Sequence, residues 1–105
     1  MTDTSPPAAP TSLAEVRARI DALDTELTGL LAQRQRLVRA AAGFKTDEAA
    51  VRAPDRVERV VTAARARAAE AGLAPQVAEA VWRAMIDAFI TLELDEHHTL
   101  TTPGT

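Results

Sequence analysis

From Val16 to Phe44 one stripe of positions recurs with gaps of four and three residues in strict alternation: Val16, Ile20, Leu23, Leu27, Leu30, position 34, Leu37, Ala41 and Phe44. Heptad spacing without a slip predicts an α-helix packed lengthwise against other helices. Ser12, with Glu15 three residues on, makes a capping box in front of the repeat. The predicted helix runs from about residue 13 to 45, roughly 50 Å at 1.5 Å per residue. The sixty residues after position 45 cannot cover a helix of that length in a compact monomer. The pattern therefore asks for a partner chain.

The rest of the chain reads as two more helices. "KTDEAAVRAP" is a loop, and Pro54 disfavours helix at Ala53 while suiting the first turn of a helix beginning there. A second helix spans about Asp55 to Ala71, with a small apolar face of Val57, Val60, Val61, Ala64 and Ala68, and Gly72 as its stop. Pro75 opens a third helix to about His97, with a stripe of Val81, Trp82, Met85, Ile86 and Phe89, then Glu93. No strand pattern and no internal repeat appear. The fold class is all-α: three helices, long, short and intermediate. Residues 1–12 read as a disordered leader, 13–98 as one helical domain and 99–105 as a disordered tail.

Composition narrows the function. A net charge of −3 and a pI near 5.3 argue against a nucleic-acid or anionic-membrane partner. The chain has no cysteine, which removes disulfides and thiolate chemistry. No signal peptide or membrane span is evident, so a cytoplasmic protein is expected. Serines occur only at Ser5 and Ser12, and the four glycines are scattered. Neither a nucleophile–base pair nor a phosphate-binding loop is visible. Any catalysis must come from cations, hydrogen bonds and shape.

The informative residues are polar ones in apolar slots. Arg34 interrupts the leucines of "LLAQRQRLV". A charge there costs several kcal/mol unless paired. Its neighbours three and four residues away are Leu30, Leu31, Leu37 and Val38, so its own helix offers no acid. Either a carboxylate on another helix or a ligand carboxylate fits, and the guanidinium fork suits both. Lys45, eleven residues on, returns to within about 20° of the same face. Alone it would read as a helix-end lysine. Arg17 lies about 100° off that stripe. It reads as a surface pair with Asp21, or as a residue reaching the site of a partner chain. Arg56, a cation at a helix start, opposes the helix dipole unless an anion binds there. Glu93 continues the apolar stripe of the third helix. It is either paired with a cation, Arg34 among the choices, or a protonated donor in a pocket. Adjacent His97 and His98 do not share a helix face, which argues against a metal site.

Three helices with a long first one, carrying Arg17, Arg34, Lys45, Arg56 and Glu93, form a pattern that resembles the all-helical chorismate mutase family, the AroQ class. "VRARIDALDTELTGLLAQRQRLV" looks like that family's first helix. "FKTDEAAVRAPDRV" looks like its isochorismate pyruvate lyase branch. The resemblance covers about residues 13–97. It implies an intertwined homodimer with two equivalent sites, no cofactor and no metal. The implied substrate is chorismate or isochorismate, a ring dianion bearing an enolpyruvyl ether. The implied reaction is pericyclic, so the protein holds a reactive conformer and stabilises charge on the breaking ether oxygen. By the same resemblance Arg34 grips one carboxylate, and Arg17 crosses from the partner subunit to a carboxylate. Lys45 sits by the ether oxygen and a carboxylate, with Arg56 in the same site. Glu93 contacts the ether oxygen where the family has glutamine or, in some mutases, glutamate. To donate there Glu93 must be protonated, so activity is expected to fall as pH rises. Val57 and Phe89 complete the substrate-binding set.

Two positions depart from the mutase pattern. Val57 stands where many mutases carry a glutamate for the ring hydroxyl, and Ala53 stands near the place of a loop acid. Both fit the lyase branch, in which the position of Glu93 is usually glutamine. The expected activity is rearrangement of chorismate to prephenate. The alternatives are isochorismate pyruvate lyase, aminodeoxychorismate mutase and a non-catalytic dimerisation or regulatory module. A dead module would have no need of Arg34 in its core.

Overall fold

The structure, a computed structural model, describes residues 8–101. Every regular element among them is an α-helix: α1 Leu13–Ala42, α2 Glu48–Arg52, α3 Pro54–Ala71 and α4 Pro75–Thr101. Residues 8–11 carry no regular structure, and the rest of the expected leader lies outside the described residues. α4 continues to Thr101, past the boundary expected at 98; residues 102–105 of the expected tail lie outside the description. No described helix is long and apolar enough to cross a membrane.

α1 starts as its cap residues dictate. Ser12 Oγ accepts the Glu15 N–H at 3.1 Å. The return bond of the capping box goes one residue further back, with the Glu15 carboxylate accepting from the Thr11 N–H (3.1 Å) and hydroxyl (2.9 Å). The Thr11 backbone bond is the main cause that holds the Glu15 carboxyl below its ordinary range. α1 ends at Ala42, short of the expected 45. Gly43 is a poor helix residue, and the chain tightens into three-residue hydrogen bonds, Phe44 N–H to Ala41 and Lys45 N–H to Ala42.

The loop expected at 45–54 contains a short helix. Asp47 caps α2 by accepting the Ala50 N–H at 2.8 Å, and Val51 is buried. One turn and a half lies below what apolar periodicity can detect. Ala53 closes α2 and opens α3 with φ 35° and ψ 63°, a left-handed conformation that a Cβ and a following proline both disfavour.

α3 and α4 pair as an antiparallel hairpin. Their cross-links run in opposite sequence order, Glu58 to Arg83 and Arg65 to Glu79. Gly72 at φ 81° ends α3, and the Leu73 N–H returns to the Ala68 carbonyl at 2.9 Å. Val61, Ala64 and Ala68 on α3, with Ala78 and Ile86 on α4, form the buried core. Small residues at this contact let two helices approach closely. Trp82, Met85 and Phe89 are half-buried. Val81, expected in the same stripe, is 51% exposed, as is Val77 one turn before it at 46%.

The chain divides into two bodies within the span of α1. Residues up to Arg34 belong to one, and Gln35 onward, with the last turns of α1 and all of α2, α3 and α4, to the other. In the first body the heptad stripe is open to solvent, with Ile20, Leu23, Leu27 and Leu30 each about half exposed or more.

Candidate active site

The second body brings two of the expected site residues together. Lys45 leaves the end of α1 through the tight turn at Gly43 and Phe44. Its Nζ donates to Glu93 Oε1 at 2.7 Å. Glu93, at 4% exposure, is the buried charged residue among those described, and Lys45 is half-buried. Of the two readings of Glu93, paired with a cation or protonated in a pocket, this body shows the pairing, with Lys45 as the cation. One turn further along α4, Arg39 Nε donates to Glu96 Oε1 at 2.7 Å. Two ion pairs thus join the α1 end and the following turn to one face of α4. The Arg39–Glu96 pair was missed in the sequence because neither residue sits in an apolar slot.

Arg56 occupies the first turn of α3, exposed, with Val57 beside it half-buried. Phe89 lies one turn before Glu93 on α4 and is half-buried. Arg34 and Arg17 belong to the first body. Arg34 is half-buried, whereas its neighbours Leu30, Leu31 and Leu37 are exposed. Arg17 is exposed and forms no ion pair with Asp21 among the described residues, so the reading of Arg17 as half of that surface pair does not hold.

Two open cavities lie elsewhere. A groove of about 690 Å³ is bounded by α2, α3 and α4, and its charged lining is Arg52, Glu58 and Asp87. Arg52 already pairs with Glu48, so this lining is acidic in balance. A cavity of about 410 Å³ is lined by Glu48, Asp95, His97 and His98. Neither offers the surplus of positive charge that a dianion requires. Of the expected site residues only Val57 lines the groove, and none lines the smaller cavity.

The model of the family described as "Chorismate mutase type II" matches residues 16–94. That span covers most of the chain and holds every one of Arg17, Arg34, Lys45, Arg56, Val57, Phe89 and Glu93. The chain belongs to the type II chorismate mutase family. Isochorismate pyruvate lyase of Pseudomonas aeruginosa is a relative, 33% identical over 84 residues, which make up 80% of this chain and 83% of the relative. The all-helical architecture read from heptad spacing and caps is that of the structure. Lys45 and Glu93 both lie inside the matched span, and the structure brings them together within one body.

Proposed function

We propose that this protein is a pericyclic enzyme acting on a chorismate-type enolpyruvyl ether dianion, and that it rearranges chorismate to prephenate. The observation that carries the reading is the set of Arg17, Arg34, Lys45, Arg56 and Glu93, all inside the family match. In the rearrangement the ether C–O bond breaks as a C–C bond forms, and negative charge grows on the ether oxygen. No nucleophile or cofactor enters. Rate comes from holding the folded conformer and from donors aimed at that oxygen.

Arg34 and Arg17 are assigned to the two carboxylates, with Arg17 supplied by the partner subunit. Lys45 is assigned to the ether oxygen and one carboxylate, Arg56 to the same pocket, and Val57 and Phe89 to its apolar wall. Glu93 is assigned to the ether oxygen as a neutral acid. An intertwined homodimer is supported by the open heptad stripe of α1, where Leu23, Leu27 and Leu30 lie between 54% and 59% exposed. A stripe of that size left in water is a contact surface, and a second copy of α1 carries the matching heptads.

A second reading is pyruvate elimination from isochorismate, giving salicylate. It is favoured by the lyase relative and by Val57, an apolar residue where many mutases place an acid. Separate incubation with chorismate, isochorismate and aminodeoxychorismate, with products identified by mass, tests both. Prephenate supports the first reading, and salicylate with pyruvate the second. A protein that turns over none of the three is a helical module without this chemistry.

A further inference from the structure

Two ion pairs reach α4 from the end of α1 and the turn after it, and they are unlike. Lys45 Nζ meets Glu93 Oε1 and Arg39 Nε meets Glu96 Oε1, each at 2.7 Å. Glu93 is 4% exposed, whereas the Arg39 and Glu96 side chains are 50% and 32% exposed. An outer pair of that kind adds little to global stability. It still fixes geometry. The residue numbers rise from 39 to 45 on one side as they fall from 96 to 93 on α4, so the two segments run antiparallel and are fastened at two points. We propose that Arg39 and Glu96 are positioning residues, whose ion pair sets where Lys45 stands in the site.

The backbone transmits the hold. Gly43, Phe44 and Lys45 donate their N–H groups to the carbonyls of Ala40, Ala41 and Ala42 at 3.3, 3.0 and 3.2 Å. The stem of Lys45 is thus tied to the last turn of α1, the turn that carries Arg39. Around Lys45 the chain has little apolar anchorage, because Gly43, Phe44 and Thr46 are exposed, Phe44 at 88%. Within α1, Ala42 is buried and Val38 half-buried. Apolar contact of that kind is non-directional, whereas a charge-assisted hydrogen bond fixes both distance and direction.

The proposal rests on the reading of Lys45 as a substrate-binding cation and deepens it. Whenever Lys45 exchanges Glu93 for a substrate anion, the inner fastening is given up and the outer pair keeps the end of α1 on α4. Arg39 acts through Lys45 and not on the substrate, since its Nε is committed to Glu96. A lysine side chain has many rotamers to lose. If its stem wanders, the ammonium spends its time outside the productive geometry, and misplacement by an ångström is costly to rate.

Lys45 is the one lysine of the sequence, so amine acylation reads its placement directly. The full-length protein is treated with limiting acetic anhydride, and acetylation of Lys45 relative to the α-amine is followed by mass spectrometry. Arg39→Gln and Glu96→Gln are each expected to acetylate at Lys45 roughly fivefold faster than the wild type, with helical dichroism retained. The exchange of Arg39→Glu together with Glu96→Arg is expected to restore the wild-type rate. On the substrate identified above, either single variant is expected to lower kcat/KM about tenfold, and the exchange to recover it. If one single variant loses its helices, the other carries the test. Unchanged acetylation overturns the inference, as does faster acetylation with undiminished turnover. A loss that the exchange does not recover assigns Arg39 another role and overturns it too. A wild type that turns over none of the candidate substrates overturns the proposed function, and acetylation then still decides whether the outer pair holds Lys45.

Discussion

Ala53 joins two helices in a conformation that glycine adopts freely and alanine does not. A left-handed alanine is disfavoured by about 1–2 kcal/mol, and a following proline adds to the strain. Glycine costs roughly 0.5–1 kcal/mol more unfolded-chain entropy. Ala53→Gly is therefore expected to stabilise the fold by about 0.5–1 kcal/mol. Thermal unfolding followed by circular dichroism checks it, and an unchanged or lowered midpoint means that the strain is not released there. Arg34 makes the opposite kind of residue-scale prediction. If it grips a substrate carboxylate, Arg34→Ala lowers kcat/KM by on the order of a hundredfold or more while far-ultraviolet dichroism stays helical. If the variant unfolds, the guanidinium serves the core instead.

At the scale of elements, the α3–α4 hairpin is held by alanines inside and by a charge ladder outside. Arg83 grips both Glu58 oxygens at 2.8 and 2.9 Å and Glu79 at 2.8 Å, and Arg65 takes the other Glu79 oxygen at 2.9 Å. Hydrogen bonding from Arg83 holds the Glu58 and Glu79 carboxyls below their ordinary value of 4.5, and the Arg83 guanidinium is raised in return. Linkage fixes the sign. Carboxyls lowered in the folded state contribute stability above pH 4.5 and lose it as pH falls through their lowered values. Arg83→Gln should accordingly lose less thermal stability than the wild type between pH 6 and pH 3. Melting curves at the two pH values decide this, and equal losses mean that solvent screens the ladder completely.

For the whole molecule, the question is what covers α1. Ile20, Leu23, Leu27 and Leu30 are about half exposed in a single chain, and burying the exposed half of each contributes on the order of 1 kcal/mol. In the homodimer proposed above, a second copy supplies the missing surface and, with it, Arg17 for the neighbouring site. Leu23→Lys with Leu27→Lys is expected to convert a dimer to monomer in sedimentation velocity and to abolish turnover, although neither residue belongs to the site. A dissociated protein of undiminished activity would show that one chain carries a complete site. A wild-type melting temperature that rises with protein concentration is the companion expectation.

The local elements were legible from residues alone because their causes are local. A heptad repeat predicts a long helix, Ser12 caps it, Pro54 and Pro75 start helices and Gly72 ends one, and each does so in the structure. The apolar slot of Glu93 likewise announced an acid that is either paired with a cation or protonated. Which cation met it was decided by tertiary structure. Arg34 and Lys45 share a helical face on paper, but α1 ends at Ala42, so the chain turns before Lys45 and delivers it to α4. The short α2, the strained Ala53 and the Arg39–Glu96 pair also lay beyond periodicity. Helix length, caps and faces are set by residues within a few turns of each other, whereas the partner of a buried charge depends on groups 48 residues apart that only the folded chain brings within hydrogen-bonding distance.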